Sequence, residues 1–152
     1  MKNDNRQNET LLVSKVFTIM LMGALVIILF LSPQIIEFLL IRSTNAYAVG
    51  ATLFFITFFV GAIPVAAILV IMYLLLHRIS KGEVFVKKNV TYLKFMSLLF
   101  HIGAIISFLS GIYYGPWVPI GVAAIFMALV IRVIKNVIEK AISLQDDVDH
   151  TI

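Results

Sequence analysis

The chain has 152 residues, of which 61% are hydrophobic and 13% charged, with a formal net charge of +4 and no cysteine. A soluble domain carries about one quarter charged residues, so this composition points to a membrane protein. Without cysteine there is no disulfide framework, thiolate metal site or cysteine nucleophile.

Four apolar runs follow one another, near residues 11–31, 51–76, 95–114 and 117–134. Each approaches or exceeds the roughly 20 residues that a helix needs to cross a hydrocarbon core. The predicted architecture is all-α: a polytopic membrane protein with four transmembrane helices in one domain, 1–152. Both termini are expected to be cytoplasmic, because eleven of the twelve basic residues fall on one side of a four-span arrangement and Arg42 alone falls on the other. That side comprises a short N-terminus (1–10), a loop (77–94) and a tail (135–152). The first run is expected to stay as an anchor, since Ala46-Tyr47-Ala48 lies well past its end and is not placed as a signal-cleavage site.

Beyond Pro33, Ile35, Ile36 and Phe38 to Ile41 predict either a short helix in the membrane interface or a prolongation of the first span. Pro64 predicts a kink in the second span, because it removes one backbone donor. The turn YYGPWVP at 113–119 carries Tyr113, Tyr114 and Trp117, which suit an aromatic belt at the membrane boundary.

Gly103, Ser107 and Gly111 recur every fourth residue in the third span. This spacing predicts a packing ridge for another helix, within the chain or in a second copy of it. His101 is the ionisable residue deepest in a span. Imidazole exchanges protons near neutral pH, which would suit a relay or sensor, but with no carboxylate in any span the better expectation is a neutral ring hydrogen-bonded to a neighbouring helix, through Ser97 or a backbone carbonyl. No catalytic pair, metal-ligand cluster or phosphate loop stands out, so the expectation is a protein that is not an enzyme and needs no cofactor.

The polar residues gather in the loop and tail. In SKGEVFVKKNV (80–90), Gly82 can end the second helix and Asn89 can begin the third. Phe85 is expected to fold back into the interface or against the base of the tail. RVIKNVIEKAISLQ (132–145) continues a helical pattern with a broad apolar stripe. It is followed by the acidic Asp146, Asp147 and Asp149, which anionic lipid would repel, so the tail should point into the cytosol.

Gly82, Phe85, Asn89, Val90, Leu93 and Lys94 form the loop pattern G-x-x-F-x-x-x-N-V-x-x-L-K. Together with the four spans and the acidic-apolar ending Asp146 to Ile152, it resembles an uncharacterised bacterial family of integral membrane proteins that includes YoaS. The family often has Ser or Thr where this chain has Val86; either Asn89 caps the helix a turn later or its start is uncapped. The resemblance implies a gene neighbourhood with a small Xre-type helix-turn-helix regulator and no established activity. The functional expectation is a regulatory or adaptor protein of the bacterial plasma membrane. Its loop and tail would engage a cytosolic protein such as that regulator, without direct nucleic-acid binding. An immunity-type membrane-defence protein or a small-solute permeation protein is the alternative.

Overall fold

The computed structural model describes residues 2–42 and 51–151, and these fold into five helices with no strand among them: α1 (Lys2–Phe30), α2 (Ser32–Arg42), α3 (Ala51–Ile79), α4 (Lys87–Gly111) and α5 (Trp117–Thr151). Four of them, all but α2, are long and apolar enough to cross a membrane. Neighbours in the chain are neighbours in space. α1 packs on α3, α3 on α4 and α4 on α5, with α4 and α5 the closest pair.

The segment around Pro33 forms a short helix of its own, α2, which follows α1 after the single turn residue Leu31. Leu31 N–H donates to the Ile27 carbonyl at 2.9 Å and Ile35 N–H to the Leu31 carbonyl at 3.1 Å, so helical bonding runs on both sides of the proline. Pro33 lacks the donor that would serve the turn between them. α2 then packs on α3 by sinking Ile36 against Phe54, both of which are fully buried. Residues 43–50, including Ala46-Tyr47-Ala48, lie outside the described residues, as does the Arg42 side chain. Pro64 is buried inside α3, which remains a single helical element across it.

Two knots of side chains hold the bundle. At one end Leu75, Leu93, Met96 and Ile131 join α3, α4 and α5. At the other, Phe54 takes Tyr113 and Tyr114 edge-on at ring separations of 5.0 and 5.4 Å, and Phe58 takes Trp117 at 5.8 Å. These aromatics therefore tie the α4–α5 turn to α3 rather than simply lying along a boundary. Thr57 reinforces the same place through hydrogen bonds with Ser110 and Tyr113. Elsewhere the outward side chains are apolar, as on α1 and along α5, which is the surface a bilayer requires.

The predicted glycine ridge is split. Around Gly111 the helices are close: a Cβ there would meet Val118 Cγ2 at 2.6 Å. Ser107 is buried, but around Gly103 no atom lies within 4 Å of where a Cβ would stand. The contact with α5 instead runs through Ser97, Ala104 and Gly111, spaced seven apart and all on one face, with Ser97 meeting Ala128 and Gly111 meeting Val118. Seven residues are about two helical turns, so this line stays on one face where a four-residue spacing drifts off it.

Candidate functional site

The loop and tail meet at one end of the bundle, which also carries Lys15 of α1, bonded through Nζ to Ser80 Oγ at 2.5 Å. α3 ends as its glycine allows. Gly82 has φ +82°, its N–H donates to the Ile79 carbonyl at 3.0 Å, and Glu83 N–H reaches the Arg78 carbonyl at 3.1 Å. These paired bonds satisfy carbonyls left over at the helix end. A charge pair closes over them, Arg78 to Glu83 at 2.6 Å.

Asn89 does not begin the third long helix. α4 starts at Lys87, after an extended Val86 that makes no side-chain cap, so the uncapped alternative is the one adopted. Asn89 lies in the first turn, completely buried, and turns backward: Nδ2 donates to the carbonyls of Glu83 at 2.6 Å and Val84 at 2.9 Å. It ties the loop down from inside the helix. Phe85, by contrast, is 54% exposed and is not buried against the tail.

α5 is 35 residues long, or about 52 Å at 1.5 Å per residue, well beyond a hydrocarbon core of about 30 Å. Its extension rests on the start of α4. Ile142 is buried, and Lys87 and Asp146 approach to 3.9 Å. The apolar stripe divides accordingly. Ile138 and Ile142 face inward, whereas Val137, Leu144 and Val148 are exposed. Asp147 and Asp149 are exposed on either side of Val148, and Asp146 is exposed on the side that meets α4.

Deeper in the bundle, a cavity of about 410 Å³ opens between α1, α3, α4 and α5. Leu25, Ile28, Ile68, Phe100 and Met127 give it apolar walls, and Gly61 and Gly103 leave its floor bare of side chain. The polar groups on it are Thr57, Ser107 and Trp117, whose Nε1 is buried and meets no acceptor among the described residues.

The chain matches the family model described as "Protein of unknown function (DUF2975)" over residues 5–152. It belongs to that family. No curated protein and no solved structure matches it. Membership of the DUF2975 family agrees with the uncharacterised four-helix membrane family that the loop and tail resemble, and it carries no activity with it.

Of the remaining predicted residues, Lys94 and His101 come together with Arg132 and Lys135 in a cleft between α4 and α5. His101 Nδ1 lies 2.7 Å from the Ser97 carbonyl, so this nitrogen is the donor, but the bond stays within α4 where one to a neighbouring helix was expected. Ser97 Oγ in turn donates to the Ala128 carbonyl at 3.0 Å, which links α4 to α5. Sequence reasoning missed the cavity. Its signal was there, in Gly61, Ala62, Gly103 and Ala124, but small residues at a span's mid-depth serve close packing or open space equally well, and only side-chain placement separates the two.

Proposed function

We propose that this member of the DUF2975 family is a non-enzymatic adaptor of the bacterial plasma membrane, with loop and tail on the cytoplasmic side. The orientation rests on the eleven basic residues at that end. The observation that carries the reading is the unbroken α5: a helix braced by Ile142 on α4 presents an outward stripe of Val137, Leu144 and Val148 flanked by Asp147 and Asp149. An amphipathic helix of this kind suits a basic partner with an apolar groove. The small helix-turn-helix regulator that the family resemblance implies is the candidate for that partner.

The test uses full-length protein in nanodiscs and a purified regulator encoded beside the gene, with a photocrosslinker at position 148. A one-to-one adduct from position 148 that Leu144→Ser abolishes is the expected result, and with the crosslinker moved into the loop the adduct should be lost in protein truncated after residue 140. If no adduct forms, or if it survives the truncated tail with a crosslinker moved into the loop, the tail is not the docking element.

A second reading rests on the cavity. Its volume suits a small molecule, and its mostly apolar lining, with Thr57, Ser107 and Trp117 as its polar groups, favours an apolar occupant over a hydrated solute. An immunity-type role, in which the spans capture an apolar toxin or signal, follows from that chemistry more readily than solute permeation.

A further inference from the structure

We propose that the cleft between α4 and α5 beside Lys94 holds the phosphate of an anionic phospholipid. The cleft has a volume of about 450 Å³ and is lined by Lys94, Ser97, His101, Arg132 and Lys135, together with Phe95 and Leu98. Three of these carry fixed positive charge and none carries a carboxylate. Lys135 holds Glu139 at 3.1 Å, while Lys94 and Arg132 are exposed and have no acidic partner among the described residues. Their charges are therefore available to an anion.

Depth decides which anion. About 30 Å of helix counted back from Tyr113, at the aromatic end, stops near Lys94, so this lysine lies where head groups begin. Arg132 stands less than one turn before Lys135 on α5, and both side chains are long enough to reach the same plane. Toward the membrane centre the wall changes to Phe95 and Leu98, which are 52% and 53% exposed. A cationic rim above an exposed apolar wall matches a lipid with its phosphate in the cleft and its chains along α4. Basic pockets between spans bind such head groups. The geometry between the two helices is held by the Ser97–Ala128 bond, so the cations do not have to be gathered when the lipid arrives. This site is independent of whatever engages the tail.

Full-length protein in detergent, titrated with dioleoyl phosphatidylglycerol and followed by native mass spectrometry, tests it. The expected result is a one-to-one adduct about 10-fold tighter than with dioleoyl phosphatidylcholine, weakened about 5-fold by Lys94→Gln and about 25-fold by Lys94→Gln with Arg132→Gln. Arg132→Lys, which keeps the charge, should retain most of the binding. Removing the same charge elsewhere, by Lys81→Gln with Lys88→Gln, should change it less than about 2-fold. Equal binding of the two lipids, or an equal loss in that control pair, overturns the site. Displacement of the lipid by millimolar inorganic phosphate also overturns it, in favour of a free-anion site. If the double variant does not fold, Lys94→Gln alone decides: unchanged affinity overturns the proposal and the 5-fold loss supports it.

Discussion

Asn89 holds Glu83 across the end of the loop, its buried Nδ2 donating to the Glu83 carbonyl at 2.6 Å while the same nitrogen serves Val84 at 2.9 Å. The loop thus owes its shape to a residue inside α4 and not to its own apolar trio. Asn89→Ala would strand two carbonyls and leave a small void, at a cost of about 2 kcal/mol. Trypsin should then cut faster after Lys81 and Lys87. Phe85→Ala should leave the cleavage rate unchanged, because Phe85 is half exposed. Equal protection in the asparagine and phenylalanine variants would show that the hydrogen bonds are not what orders the loop.

Gly82 turns the chain out of α3 with φ +82°. A side chain there adopts the left-handed region at a cost of about 1 kcal/mol, which asparagine bears better than alanine. Thermal unfolding in detergent should rank wild type above Gly82→Asn and Gly82→Asn above Gly82→Ala. The reverse order of the two variants would mean that the end of α3 is not fixed by this glycine.

Two contacts tie the tail to α4, and they differ in weight. Lys87 and Asp146 are 3.9 Å apart with both side chains more than half exposed, a pair of the kind that contributes little. Ile142 is buried, and trimming it removes apolar contact worth about 2 kcal/mol. Hydrogen exchange over residues 140–151 should accelerate in Ile142→Ala and stay near wild type in Lys87→Ala. If Lys87→Ala releases the tail as fully as Ile142→Ala does, the ion pair is the stronger tie.

The spans, their number and the continuation of the last one into a tail were legible in the sequence, because a bilayer imposes long apolar runs and leaves few alternatives. So was Gly82, whose place just past a helix has one common meaning. The direction in which Asn89 points was not. An asparagine near a helix start can cap forward or reach back, and the choice depends on whether the preceding loop lies over it. Of the two places expected for Phe85, the base of the tail is not the one taken: the backbone is already pinned by Asn89 and Gly82, and the ring stays 54% exposed. Lys94, Arg132 and Lys135 carried the topology signal, and that role concealed their convergence across two helices.

Gly121 and Gly103 test how the small residues divide. A Cβ on Gly121 would stand 3.1–3.2 Å from the Phe108 ring, so Gly121→Ala must push that ring or part α4 from α5. Around Gly103 nothing lies within 4 Å, and alanine there gains helix propensity of about 1 kcal/mol without a clash. The melting temperature should fall for Gly121→Ala and hold or rise for Gly103→Ala. A drop in both would restore the four-residue ridge as the packing surface.

Trp117 is the one tryptophan of the chain, and it stands on the cavity wall with its indole nitrogen buried. Its emission therefore reports on the cavity directly. A small brominated aromatic that enters should quench it in a saturable way, since heavy-atom quenching needs near contact. Gly103→Leu would place a side chain in the open space behind that glycine, filling part of the 410 Å³ without touching the aromatic end where Phe58 meets Trp117. The saturable component should shrink severalfold in this variant, while the linear quenching from probe dissolved in the detergent stays constant. Quenching that is linear throughout and equal in both proteins would mean that the probe reaches Trp117 only from outside, and would remove the support for an apolar ligand between the helices.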